Sequence, residues 1–175
     1  MTATIPRRPR IGGGAGGVAT SIVAALIGGE DLGVVAPGDD VDVLVCRSVS
    51  HQLSLATRIA AAAPVAPVVV ISADSPNRAP HQVRERARML EPNVPAVVWL
   101  DWIEQARSMS SPPADLRAAA ISDDPEAWSM RLRAFRHALI AAVTDVLSSA
   151  PVSADHDTPH TSSPDEEHPR LRRTS

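Results

Sequence analysis

The segment that decides how the chain folds reads Ile11-Gly12-Gly13-Gly14-Ala15-Gly16-Gly17-Val18-Ala19-Thr20-Ser21. Five of these residues are glycine, and an apolar helical pattern begins directly after the last of them. Glycines allow positive φ angles and close backbone approach, so successive N–H groups can converge on an anion. The N-terminus of a following helix adds a favourable dipole. The segment therefore predicts the backbone of a phosphate-binding loop.

The loop lacks the side chains that nucleotide hydrolysis requires. A nucleotide-hydrolysing loop places a lysine and then a Ser or Thr straight after its last glycine. Lysine is absent from the whole chain, and these positions hold Gly17 and Val18, or Val18 and Ala19 in the other register. The nearest hydroxyls belong to Thr20 and Ser21, which helical geometry rotates away from a metal at the loop. A purely structural glycine linker is the alternative interpretation.

Composition and charge restrict the class of protein. The 175 residues suffice for one domain, and a formal net charge of −3 gives no general affinity for nucleic acid or anionic membranes. The one cysteine, Cys46, lies in an apolar run, so we expect a small buried residue outside any disulfide or multi-cysteine zinc site. No stretch is long enough to span a membrane, and the proline-broken start is unlike a signal peptide. We expect a cytoplasmic protein.

Helical and strand-like patterns alternate after the glycine run. Ser48 or Ser50 is expected to cap the second helix, and Asp101 the fourth. A last, long helix opens at Asp124. The predicted strands cover residues 32–36, 41–46, 68–71 and 94–100, and the shorter predicted helices cover 18–27, 48–63, 79–90, 102–109 and 114–121.

This order of elements predicts an α/β fold, with a mainly parallel sheet, flanking helices and a long C-terminal helix. Residues 1–10 contain two prolines and three arginines and are predicted as a flexible basic arm, and at most Arg10-Ile11 remains of a strand before the glycine run. Residues 11–149 form a single domain, and residues 150–175 are expected to be a disordered tail. The apolar stripe of the long helix consists of Trp128, Leu132, Phe135, Leu139, Val143 and Val146.

Candidate site residues follow the predicted strands, because parallel α/β sheets bind ligands outside the carboxyl ends of their strands. Arg47 could donate its guanidinium to an anion, or pair with a carboxylate such as Asp42 or Asp74 and only order the loop. Asp74 could hold magnesium through water or accept from a ligand hydroxyl, or it could cap a turn. No metal-ligand cluster or catalytic set is recognisable, so no metal or catalytic residue is assigned.

Four segments of the chain, taken together, resemble a known family. They are Gly13-Gly14-Ala15-Gly16, Val43-Leu44-Val45-Cys46-Arg47-Ser48, Val70-Ile71-Ser72-Ala73-Asp74-Ser75-Pro76 and Val97-Val98-Trp99-Leu100-Asp101-Trp102-Ile103-Glu104. The combination resembles small actinobacterial proteins that look like reduced relatives of the ParA/MinD class of P-loop ATPases. Such proteins tend to occur with conjugative or integrative elements. The resemblance covers roughly residues 11–107.

The resemblance implies a reduced P-loop NTPase-like fold and a set of ligand contacts. In active ParA/MinD proteins the loop reads lysine, two glycines, any residue, glycine, lysine and then Ser or Thr. Here the two lysines fall on Gly12 and Gly17, and the Ser or Thr falls on Val18. The resemblance also implies a base or ribose contact for Asp74. The implied phosphate contacts are Gly13, Gly14, Ala15, Gly16 and Gly17.

Three functional hypotheses follow. The first is a non-catalytic ParA/MinD-like protein that acts as a binding or regulatory component of a DNA-transfer or partition system, with an unknown protein partner or as a homodimer. The second is an unorthodox ATP- or GTP-binding protein or weak NTPase, in which Arg47 replaces the loop lysine. The third is a DNA-associated accessory protein that uses Arg131, Arg133 and Arg136 of the last helix together with the terminal arginines.

Overall fold

The computed structural model describes residues 7–149, so the predicted tail 150–175 lies outside the described residues. Within this range, five strands form one wholly parallel sheet. The strands are β1 (Arg10–Gly13), β2 (Glu30–Val34), β3 (Val43–Arg47), β4 (Val68–Ser72) and β5 (Val97–Leu100). Their spatial order is β2-β1-β3-β4-β5. This is the order of flavodoxin-like doubly wound sheets, whose direction of winding switches between β1 and β3.

Helices cover both faces of the sheet. One layer packs around Ile11 and Phe135, and the other packs around Leu44 and Ile59. The predicted α/β fold with a long C-terminal helix is therefore confirmed. The helices are α1 (Thr20–Ile27), α4 (Pro112–Ile121) and α5 (Ser129–Ser149) on the first face, and α2 (Ser50–Ala62) and α3 (His81–Leu90) on the second; 3-10 turns occupy Glu91–Asn93 and Glu104–Ser108.

The long helix α5 presents the predicted apolar stripe to the sheet. Trp128, just before its first residue, is half-buried. The stripe is confirmed because residues at this spacing share one helix face. The buried members are Leu132, Phe135, Leu139, Val143 and Val146.

Two predicted helix caps are wrong. The N-cap of α2 is Val49, and the 3-10 turn that replaces the predicted helix 102–109 begins after Ile103. Ser48 does not cap α2 because its hydroxyl is hydrogen-bonded to Asp74, which follows the neighbouring strand β4. Tertiary contacts thus override the local preference of serine for a cap.

The connection between β2 and β3 contains no helix and runs back across β1. Val35 N donates to Gly13 O at 2.9 Å, and Asp42 N donates to Arg10 O at 2.9 Å. Between these bonds the side chains of Val35 and Val41 are buried against Gly12. A Cβ atom on Gly12 would lie 2.5 Å from a methyl carbon of Val35, well inside van der Waals contact. Gly12 therefore lets the connection lie directly on the sheet.

Gly13 meets the same constraint from the opposite face, since successive strand residues point to opposite sides. A Cβ atom on Gly13 would lie 2.5 Å from Thr20 Oγ1 and 2.8 Å from a methyl carbon of Val18. Gly12 and Gly13 are thus strand residues rather than loop residues, and β1 extends two residues further than the sequence predicted. Packing, and not a ligand, requires glycine at both positions.

Asp42 holds the amino ends of the central strands together. Its side chain is only 6% exposed, accepts from both terminal nitrogens of Arg7 at 2.6 and 2.8 Å, and accepts from Arg10 N at 2.7 Å. Burial alone would raise the pKa of Asp42, but the hydrogen bonds and positive charges of Arg7 and Arg10 more than offset it and hold the pKa below its usual value. The Arg10 guanidinium pairs with Asp40. Residues assigned to the flexible arm therefore make ordered contacts.

We expect Gly13→Ala to lower the free energy of unfolding by about 1–3 kcal/mol, because a methyl group there overpacks the contact with Thr20 and Val18. Gly16→Ala is the matched control, since a Cβ atom at Gly16 meets nothing within 4 Å. We expect it to change stability by less than about 0.5 kcal/mol. Urea denaturation measures both. Equal stability of the two variants would contradict the packing role of Gly13.

We expect Asp42→Asn to lower the free energy of unfolding by about 1–2 kcal/mol at pH 7, since Arg7 remains half in water. Because the folded-state pKa of Asp42 is depressed, its contribution is present above the unfolded pKa of about 3.9 and is lost as pH falls through the folded pKa. The difference in the free energy of unfolding between wild type and variant should therefore disappear in acid. Denaturant titrations at several pH values measure this, with the exposed Asp123→Asn as control. A gap that persists below both pKa values would contradict the assignment.

Candidate functional site

The loop from Gly14 to Ala19 leaves β1 at the carboxyl edge of the sheet, beside β3. Gly14 N donates to Val45 O at 2.9 Å, which places the loop at the point where the winding of the sheet switches. Gly17 has a φ of +71° and Ala19 a φ of +73°, so both adopt the left-handed conformation. Among the described residues Ala19 is the sole non-glycine residue with a positive φ, at a cost of about 1–2 kcal/mol. The loop thus holds a strained turn directly before α1.

Arg47 holds this loop from the end of β3. Its Nε and Nη2 both donate to Gly17 O, at 3.0 and 2.7 Å. The guanidinium has no carboxylate partner among the described residues, because Asp42 lies at the opposite end of the sheet and Asp74 bonds elsewhere. The predicted pairing of Arg47 with a carboxylate is wrong. The structure nevertheless brings Arg47 and the glycine loop together, as predicted for residues that follow parallel strands at one edge of the sheet.

Ser72, at the end of β4, is a further residue that holds the loop. Its buried hydroxyl lies 3.1 Å from Val18 O and 3.3 Å from Cys46 O, so it connects β4 to both the loop and β3. The sequence analysis did not single out Ser72. The available signal was a lone hydroxyl directly after the β-branched run Val68-Val69-Val70-Ile71, where an apolar core offers few partners for a polar group.

Asp74 lies at the same edge but does not contact the glycine loop. One of its carboxylate oxygens accepts from Ser48 Oγ at 2.7 Å, and Asp74 N donates to the same hydroxyl at 3.1 Å. Ser48 follows β3 and Asp74 follows β4, so the pair joins the ends of two neighbouring strands. The Asp74 side chain is exposed, and its link to the loop runs through Ser48, Arg47 and Gly17.

The two hydroxyls closest after the glycine run are both engaged away from a ligand position. Thr20 is buried with its hydroxyl packed against Gly13. Ser21 Oγ donates to Asp31 Oδ2 at 2.5 Å. This arrangement agrees with the expected rotation of these side chains away from the loop.

Cys46 is a buried core residue, as predicted. It is fully shielded from solvent, and burial raises the pKa of its thiol from 9.0 to about 12. The thiol is therefore protonated at neutral pH and inert as a nucleophile. Among residues 7–149, no three His, Cys, Asp or Glu side chains converge as a metal-ligand group.

Two of the three arginines that the sequence offered for DNA contact are engaged within the fold. Arg136 Nε donates to Leu26 O at 2.8 Å, and Arg133 Nε donates to Ala120 O at 3.2 Å. These carbonyls lie in the last turns of α1 and α4, where no further helical N–H is available. Arg131 is exposed and lies 3.8 Å from Asp101. The DNA-contact hypothesis therefore retains one largely exposed arginine of this face within the described residues, and that arginine is paired with Asp101.

The fold and the loop define a doubly wound, flavodoxin-like α/β domain with a glycine-rich loop at the switch point of its sheet. Comparison with protein families, curated proteins and solved structures finds no match to the chain. The resemblance to ParA/MinD proteins therefore stays a prediction. In residues 7–149, no helix has both the length and the apolar character that crossing a membrane requires.

We expect Arg47→Ala to increase amide hydrogen exchange in residues 14–19, because the Gly17 carbonyl loses both of its donors from the guanidinium. Arg47→Lys should restore part of the protection, since an ammonium group can donate to the same carbonyl. Exchange measured by mass spectrometry reports the effect. The exposed Arg88→Ala, on α3, is the control and should leave the loop unchanged. Unchanged exchange in Arg47→Ala would contradict the role of Arg47.

Proposed function

We propose that this protein is a ParA/MinD-like domain that binds rather than catalyses, and that it serves as a regulatory component of a DNA-transfer or partition system. The observation that carries the proposal is the contact between Arg47 and Gly17, at 2.7 and 3.0 Å. The guanidinium lies where a working loop would need a mobile cation, yet two of its nitrogens are bonded to the loop backbone. The link to DNA transfer or partition is supported by the family resemblance.

The glycines themselves support a binding role over hydrolysis. Gly12 and Gly13 are required by packing, and Gly17 is required by its positive φ. Three of the five glycines of the run are thus explained without a triphosphate. Hydrolysis also needs a cation on the transferred phosphate and a hydroxyl on magnesium, and their loss costs orders of magnitude in rate. Here Thr20 and Ser21 are engaged with Gly13 and Asp31.

A second candidate function is nucleotide binding in which Arg47 replaces the loop lysine. The observation in its favour is that Arg47 is exposed and that Nη1 makes no hydrogen bond to any described residue. A bound phosphate could accept from this nitrogen while Nε and Nη2 keep the Gly17 carbonyl. The left-handed Ala19 adds a strained backbone conformation, a feature that clusters at ligand sites.

Phosphate release and calorimetric titration with ATP and GTP, each with and without magnesium, separate the two candidates. For the leading proposal we expect no phosphate release above the buffer rate, and no binding heat that depends on Arg47. Wild type, Arg47→Ala and the control Arg88→Ala should then behave alike. Magnesium-dependent turnover, or nucleotide binding that Arg47→Ala abolishes and Arg88→Ala retains, would overturn the leading proposal in favour of the second.

A further inference from the structure

Every aromatic side chain of the protein lines one cleft. The chain contains three tryptophans, one phenylalanine and no tyrosine. Trp99, Trp102, Trp128 and Phe135 all border a cleft of about 310 Å³ at the free edge of β5. Trp99 packs with the helical layer of α2 and α3, whereas Trp128 packs with the layer of α1, α4 and α5. The aromatic residues thus meet from both faces of the sheet around its edge strand.

The tryptophans are not a closed core. All three are half-buried, and only Phe135 is fully inside. Two of the indole nitrogens are held locally, since Trp102 Nε1 donates to Glu104 at 2.7 Å and Trp128 Nε1 donates to Glu126 at 2.8 Å. These bonds fix the orientation of two large flat side chains beside open space. An exposed surface of this kind favours stacking with a flat ligand.

A second cleft of about 420 Å³ adjoins the first and shares Trp99, Trp102 and Arg131 with it. This second part reaches the carboxyl end of β4 at Ala73 and the start of α3 at Arg84. Volumes of this size match small-molecule sites. Ser48, Ser75 and Asn77 add polar groups along the wall.

The charges along the cleft favour an anion. Arg78, Arg84 and Arg131 line it, and Asp101 is the one carboxylate among its lining residues. The two glutamates beside it are already bonded to the indole nitrogens. Arg84 Nε is buried without a hydrogen-bond partner among the described residues, and no side-chain nitrogen of Arg84 donates to any of them. Arg131 is 84% exposed and meets Asp101 only at 3.8 Å. The guanidinium of Arg84 therefore has no partner within the fold and lines the cleft, where it can pair with an anionic ligand.

We propose that this aromatic cleft binds a flat aromatic ring that carries an anionic group, with the ring against the tryptophans and the anion at Arg84 and Arg131. Mononucleotides and aromatic carboxylates share this chemistry. The site is separate from the glycine loop and does not require a ligand there, because none of its lining residues belongs to residues 14–19. The proposal thus stands independently of the function proposed for that loop.

Tryptophan fluorescence of the full chain tests the proposal directly, because every indole of the protein lies in the cleft. The probes are AMP and benzoate, with adenosine and benzamide as their uncharged counterparts. We expect a saturable change with at least one of the two anions, and binding about tenfold weaker for its uncharged counterpart. AMP and benzoate distinguish the two sources of this chemistry. No saturable change with either anion, or equal affinity for the uncharged probe, overturns the proposal.

Substitutions of single arginines test where on the protein the anionic probe binds. Arg131→Gln leaves the fold intact because the side chain is largely exposed. We expect this substitution to lower the affinity for the anionic probe about tenfold. Arg84→Gln should act in the same direction, with urea denaturation checking its stability. Arg88→Gln, exposed on α3 and outside the cleft, should have no effect. Full binding in both Arg131→Gln and Arg84→Gln overturns the proposal, as does binding that only Arg47→Ala abolishes.

Discussion

The close approach of backbone and side chains on both faces of β1 is the constraint on which the rest of the structure depends. On one face the connection from β2 to β3 presses Val35 against Gly12, and on the other the start of α1 presses Thr20 against Gly13. Any side chain at these positions would push one of the two layers away from the sheet. The position of β1 between β2 and β3 then sets the switch in winding between β1 and β3, and with it the edge at which the loop emerges.

At that edge, polar side chains of the protein form hydrogen bonds within the protein itself, several of them to its backbone. Arg47 and Ser72 satisfy the carbonyls of Gly17 and Val18, and Ser48 joins Asp74 across the ends of β3 and β4. Each contact links elements that are distant in sequence, so the edge is held as one network. A network of this kind fixes the loop in place through contacts within the protein.

The sequence predicted the elements well where a strong pattern was locally sufficient. The β-branched run of β4, the apolar stripe of α5 and the glycine stop of α1, where Gly28 has a φ of +70°, are examples. It failed where a long-range partner competed for a side chain. Ser48 bonds to Asp74 instead of capping α2. Arg133 and Arg136 donate to helix carbonyls instead of remaining available for DNA contact. Such choices depend on neighbours that periodicity cannot supply.

The sequence by itself determined the class of fold, the burial of Cys46, and the meeting of the glycine run and Arg47 at one sheet edge, because parallel strands bring their carboxyl ends together. Tertiary structure alone decided that Gly12 and Gly13 serve packing, since their neighbours Val35 and Thr20 lie on separate elements. It also decided that four aromatic residues scattered over residues 99–135 converge on one cleft. That convergence requires α5 to fold back onto the edge strand β5, a contact between segments that no local sequence pattern encodes.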